Sequence, residues 1–143
     1  MHRGATLVEL LITLAVFAVL AAVAVPSGAA LLAGIYTERA ARELMAAHRV
    51  ARFTAIVRSR STQLEVFPES LVVRLLSGRD TVVVWRAAGP ATLGVSLEGP
   101  AYPLVFAPTG LPRGVANATF RLQRGDSHRQ VVVSRLGRLR VVR

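Results

Sequence analysis

The sequence predicts an α+β fold: one long, kinked amino-terminal helix packed on an antiparallel, β-rich globular domain. Three observations carry this. Residues 5–25 are almost wholly apolar and stop at Pro26. Residues 29–60 contain no proline and only Gly34 as glycine, and they repeat apolar side chains at helical spacing. From residue 61 onward, short alternating segments are separated by Gly, Pro and Asp, the pattern of antiparallel strands and their turns.

The first segment, Ala5–Val25, has 21 residues. At 1.5 Å per residue it would span about 31 Å, close to one bilayer core. One residue breaks its character. Glu9 places a carboxylate at the head of the run, where an ionised side chain costs roughly 2.5–3.5 kcal/mol at a bilayer centre and less near an end. An acid that costly calls for a partner. An ordinary secretory signal shares the short basic start (Met1-His2-Arg3) but does not place an acid at the head of its apolar core. Pro26 removes one backbone donor and clashes with the preceding turn, so a kink or a locally melted turn is expected there. The helix then resumes. Ala41, Leu44, Met45, His48, Ala51 and Ala55 fall on one face, with Arg39, Arg42, Glu43, Arg49 and Arg52 largely elsewhere. His48, on the apolar side, reads as a residue of the core edge.

Eight strands are expected: 62–67, 71–76, 81–86, 93–97, 104–106, 119–123, 129–134 and 138–142. Pro68, Gly78, Gly89-Pro90, Gly99-Pro100, the stretch from Gly110 to Gly114, Gly125-Asp126 and Gly137 mark the turns between them. Four segments follow: 1–4, a leader; 5–27, a membrane or filament-core helix; 28–60, an amphipathic helix; and 61–143, the β-rich domain.

The 143 residues hold no cysteine, so disulfides and thiolate metal sites are excluded. All 18 basic residues are arginine, and against 8 acids the net charge is +10. Such a balance suits an acidic partner, whether nucleic acid, anionic lipid or an acidic protein face. No catalytic constellation is present. His48 and His128 are the only histidines outside the leader, and Asp80 and Asp126 sit in turns where Asp serves backbone hydrogen bonding. Neither an enzyme, a metal site nor a cofactor is expected.

The hexapeptide Gly4-Ala-Thr-Leu-Val-Glu9, standing directly before the apolar run, resembles the processing site of type IV prepilins and type II secretion pseudopilins. The resemblance implies cleavage by a prepilin peptidase after Gly4 and methylation of the new amino terminus, Ala5, where the family usually has Phe. It further implies that Glu9 pairs with the terminal amine of a neighbouring subunit. Physically the two groups suit each other, since each charge is costly alone in a low-dielectric core and tolerable when paired. The phrases Ala40-Ala-Arg-Glu-Leu44, Leu104-Val-Phe-Ala-Pro-Thr-Gly110, Gln130-Val-Val-Val-Ser134 and Gly137-Arg-Leu-Arg140 extend the resemblance over nearly the whole chain. They are similar to the H-type minor pseudopilins of type II secretion and to the FimT-type minor pilins. The implied protein is a pilin-like minor subunit, single-pass in the inner membrane with a periplasmic domain, partnered by the peptidase and by other subunits. Assembly into a type II secretion pseudopilus is the first expectation. The alternative is a FimT-type minor pilin that binds DNA for uptake.

The alternative turns on the carboxyl terminus. Arg135, Arg138, Arg140 and Arg143 crowd the last nine residues, and Arg121, Arg124 and Arg129 lie on the hairpin before. In a strand, Arg138 and Arg140 share a face about 7 Å apart, a spacing that fits successive phosphates of an extended backbone. In FimT-type pilins this Gly-Arg-x-Arg motif is linked to DNA, which makes Gly137, Arg138 and Arg140, with Arg135 and Arg143, the candidate DNA site. A merely solvated strand face would look the same in sequence.

Overall fold

The computed structural model describes residues 6–78, 80–114 and 117–143, with the side chains of residues 23–27 outside the description. The expected processing site at Gly4 and Ala5 lies outside the described residues. One helix, α1, runs from Leu7 to Val57, 51 residues. It continues through Pro26 as one long helix, as expected, and the backbone at Pro26 stays helical where a locally melted turn was the alternative to a kink. Proline forfeits one backbone hydrogen bond, and a helix this long keeps the turns on either side. The chain divides into two compact units, Met1–Leu32 and Ala33–Arg143. In the first, every described side chain of the helix, Leu7–Ala22, is exposed. Among the described residues no helix is long and apolar enough to cross a membrane, and residues 23–25, expected to complete the span, lie outside those described with side chains.

The second unit is built on the rest of α1. Ala40, Ala41, Leu44, Ala47, Ala51 and Ala55 are all buried, following the helical repeat along one face. Most of that stripe is alanine. A small side chain brings the helix backbone close to what it packs on, and alanine carries no cost in helix propensity. The stripe meets two sheets. In the first, β1 (Thr62–Val66), β2 (Ser70–Ser77), β3 (Asp80–Ala88), β5 (Leu104–Phe106) and β6 (Pro112–Arg113) lie in the order β3-β2-β1-β5-β6. In the second, β4 (Ser96–Glu98), β7 (Ala118–Arg124), β8 (Ser127–Val133) and β9 (Leu139–Val142) lie in the order β4-β7-β8-β9. All pairings are antiparallel. Leu64, Leu71, Val73 and Phe106 from the first sheet, and Phe120, Leu122, Val131 and Val133 from the second, join the helix stripe in one core. Thr62 locks the join between helix and first strand: its buried Oγ1 donates to the Ala51 carbonyl at 2.8 Å.

Seven of the eight expected strands are present within two residues at each end. The segment 93–97 is the exception. Pro90–Leu93 forms a 3₁₀ turn closed by Gly94 in the left-handed region (φ 65°), and the strand begins only at Ser96. Proline at the turn's first position fixes φ, and Gly94, read from sequence as part of the strand, instead caps the turn's end because glycine admits φ > 0. A ninth strand, β6, arises inside the stretch read as a turn between Gly110 and Gly114. It is only two residues long, paired with β5.

His48 sits at the centre of the helix–sheet interface, 2% exposed. Its ring stands edge-on to Phe106, with centroids 4.9 Å apart, and neither ring nitrogen has a hydrogen-bond partner among the described residues. Burial, reinforced by the charges of Arg52 and Arg49, pushes its pKa down to about 4. The folded state therefore holds His48 neutral, while the unfolded chain takes up a proton near pH 6.5. Stability should be flat above about pH 6.5 and fall as pH drops from 6.5 towards 4. Glu38, whose carboxyl is lowered chiefly by its hydrogen bond to Arg42, acts in a separate window below its ordinary 4.5. Urea denaturation across pH 4–7 should show this slope in the wild type and its disappearance in His48→Leu. A slope left unchanged by that substitution would contradict the assignment.

Candidate functional site

Two places carry residues singled out by the sequence: the head of α1 and the carboxyl-terminal hairpin. At the head, Thr6 and Glu9 cap the helix reciprocally. The Glu9 N–H donates to Thr6 Oγ1 at 3.3 Å, and the Thr6 N–H donates to Glu9 Oε2 at 3.4 Å. This is a capping box, Thr-x-x-Glu, which satisfies donors that the first turn would otherwise leave unpaired. Glu9 thus has a local partner as well as the intermolecular one the resemblance implies. The sequence reading missed this, although the pattern Thr6-Leu-Val-Glu9 is the signal for it.

The second place is built by β8, β9 and the loop between them. Ser134 opens a turn in which the Gly137 N–H donates to the Ser134 carbonyl at 2.8 Å and the Ser134 N–H to the Arg138 carbonyl at 2.9 Å. The Arg138 N–H adds a bond to Ser134 Oγ at 3.1 Å. Gly137 is buried in the left-handed region, φ 70°, and a side chain there would come within 3.2 Å of the Pro112 ring. Its carbonyl accepts from Arg52 Nη1 at 3.3 Å, which ties the loop to α1. So the glycine of Gly-Arg-x-Arg is a structural requirement. It aims the two arginines that follow it.

Those arginines face solvent. Arg140 lies opposite Val132 on β8, while the alternate residues Val131 and Val133 face the core. Arg140 therefore projects from the outer face of the second sheet, and Arg138, two residues earlier, is exposed beside it. Arg135 and Arg143 are exposed as well. Among the described residues none of the four takes part in an ion pair.

The structure removes two members of the wider basic cluster. Arg129 Nε donates to Glu38 Oε2 at 3.2 Å, joining β8 to α1. Arg124 lies over the Tyr36 ring at 4.3 Å and donates to the Leu93 carbonyl. Both hold the second sheet to the helix. Arg121 remains exposed on the outer face, opposite Gln130. Among the described residues there is no group of acids and histidines that would hold a metal.

Two family models match the chain. One, the type II transport protein GspH, covers residues 40–137. The other, the prokaryotic N-terminal methylation motif, covers residues 1–25. A pilin-like protein of Thermus thermophilus, PilA1, is 33% identical over a 157-residue alignment covering 98% of each chain. Among solved structures, the type IV minor pilin FimU of Pseudomonas aeruginosa superposes with a TM-score of 0.63 at 19% identity, over 74% of this chain and 87% of that one. The minor pseudopilin EpsH of the Vibrio cholerae type 2 secretion system superposes with a TM-score of 0.58 at 15% identity, over 74% of this chain and 95% of that one. The fold, a long amino-terminal helix against antiparallel sheets, is the pilin fold. With the GspH model spanning most of the globular part and the methylation motif at its head, this chain belongs to the GspH family, as a minor pilin or pseudopilin.

Proposed function

We propose that the chain is a minor subunit of a type IV pilus-like filament, held in the inner membrane before assembly and processed at its amino terminus. The observation that carries this is the first unit of α1, which exposes apolar side chains all round. A helix of that kind is covered by lipid or by other helices. In the reading proposed, lipid covers it first and neighbouring subunits later. The prepilin peptidase cuts between Gly4 and Ala5, Ala5 is methylated, and Glu9 exchanges its capping partner for the amine of the next subunit. The inner membrane, the peptidase and the other subunits are then the chain's partners. A type II secretion pseudopilus is supported by the description of the family model, and a pilus by the name of the full-length Thermus relative.

A second reading concerns the tail. Arg138 and Arg140, exposed, aimed by Gly137 and without acidic partners among the described residues, suit phosphates, and we propose that they grip DNA. Residues 121–143 contain no Phe, Trp or Tyr for stacking, so the grip would fall on the backbone and be indifferent to sequence.

Processing should yield a mature chain that mass spectrometry finds beginning at methylated Ala5, and Gly4→Glu should leave uncut precursor. A terminus near residue 30 would sink the filament reading. Glu9→Val should insert into membrane at least as well as wild type, yet join the filament poorly; normal incorporation would remove the role assigned to Glu9.

For the tail, binding to duplexes of any sequence should weaken steeply with salt. Arg138→Gln with Arg140→Gln should make the log–log salt slope shallower by up to about two units, at roughly 0.9 per phosphate contact. Binding that the double variant leaves unchanged would trace it to the diffuse charge instead. Gly137→Ala tests the aiming. Alanine at positive φ costs about 1–2 kcal/mol, and this variant should weaken DNA binding while both arginines are still present.

A further inference from the structure

We propose that the free edge of β3 and the last turns of α1 form a docking groove for an extended segment of another protein, one in which apolar and acidic side chains alternate. This goes beyond filament assembly and the tail, and rests on different residues.

β3 ends the first sheet and, among the described residues, pairs with β2 alone. Among these residues its outer side therefore offers a row of unpaired N–H and C=O groups, a template for one more strand. Edges are usually blunted by being short, by charge or by proline. β3 is nine residues long, and Val82, Val83 and Val84 in its middle are all exposed. The backbone thus states the kind of occupant: another extended chain.

The side chains narrow it further. The pairing of β3 with β2 passes from Val73↔Trp85 to Arg74↔Val83, leaving Val84 without an opposite residue. Such a bulge re-aims a side chain. Here Val84 lines a groove of about 250 Å³ with Phe53, Thr54, Val57 and Arg58 of the helix end. Phe53 is 67% exposed and Val57 59%, although both sit beside the helix stripe that packs the core. On the groove side, Val82 lies opposite Leu75, and Trp85 packs against the core opposite Val73. A strand added to this edge would send every second side chain against Phe53, Val57 and Val82. The alternate side chains would fall on the opposite sheet face, where Arg86 stands across from Val72.

Charge fixes the rest. Arg58 lies in the groove and Arg86 on the other face, and neither takes part in an ion pair among the described residues. The acid of this strand, Asp80, is at its far end. The chain as a whole carries +10. An apolar face towards the helix and carboxylates towards Arg86 on the opposite face complement what is present. Strand addition of this kind draws affinity from main-chain hydrogen bonds and specificity from alternate side-chain sites. A second copy of this chain fits less well, because two β3 edges would bring the same arginines together and break the alternation of both strands at the bulge.

The test uses the full chain in detergent micelles and an acetylated, amidated hexapeptide of alternating glutamate and valine, followed by fluorescence anisotropy and amide hydrogen exchange. The peptide should bind and slow exchange selectively in residues 80–88. Val57→Asp and Arg86→Glu should each weaken binding about tenfold or more, a loss typical of a residue central to an interface. A peptide with proline at its central valine, lacking the N–H the edge requires, should not bind. If Val57→Asp lowers the melting temperature, Arg86→Glu alone decides. Absence of binding at millimolar peptide, equal binding to both variants, or binding of the proline peptide would overturn the proposal. So would a concentration-dependent dimer of the chain abolished by Val84→Glu, which would give the edge to a second copy.

Discussion

Everything in the globular unit depends on one helix face being narrow enough for two sheets to share. The stripe from Ala40 to Ala55 is mostly alanine, and its closeness lets Phe106 reach it from one sheet and Phe120 from the other in a single core. Bulky residues along this stripe would push the sheets apart, because a close-packed interior has no room to absorb them. Leu44 is the large residue of the stripe, and His48 is the polar one. The histidine is tolerated as a neutral ring against Phe106, at the cost of two ring nitrogens without partners among the described residues and a depressed pKa.

The helix also acts as the reference for the polar contacts. Glu38, Tyr36 and Arg52 project from it and engage Arg129, Arg124 and the Gly137 carbonyl respectively. Three contacts spread along α1 thus hold β7, β8 and the loop before β9. They sort the arginines into two kinds. Arg124, Arg129, Arg52 and, with Glu65, Arg74 are spent on holding elements together. Arg135, Arg138, Arg140 and Arg143 are exposed at the end of the chain, outside any ion pair among the described residues. A charge of +10 says nothing about that division. The division gives the tail its claim to a role, since exposed guanidiniums without acids are ready for phosphate.

At the other end, Glu9 has two suitors. The one bond of this cap that its carboxylate accepts, from the Thr6 N–H at 3.4 Å, is long for a hydrogen bond, so it helps the helix terminus without holding the carboxylate tightly. In the proposed filament, an amine in apolar surroundings would offer the stronger, charge-assisted partner. The same short motif would then serve the helix before assembly and the neighbour afterwards. The groove beside β3 follows a related logic: what one chain leaves unpaired, here backbone groups on a strand edge, states what the next must bring.

The amino-acid sequence by itself determined the elements whose signal is local. The helix to residue 57, seven of the eight expected strands and the glycine-marked turns could be read because periodicity and φ > 0 are properties of a few neighbouring residues. The family was legible for the same reason, in a contiguous hexapeptide and short C-terminal phrases. The two-residue strand β6 was not, since its pairing with β5 is made in space and two residues carry no period. Nor could Pro26 announce that its own turn stays helical, because neighbouring turns decide whether one lost bond melts a helix. The partition of the β-strands into two sheets, with the chain passing from β4 to β5 and back at β7, depends on the shared alanine stripe and on no local pattern. Only the tertiary structure turned Arg124 and Arg129 inward to Tyr36 and Glu38 while leaving Arg138 and Arg140 in solvent, because the difference lies in what each guanidinium meets across the fold.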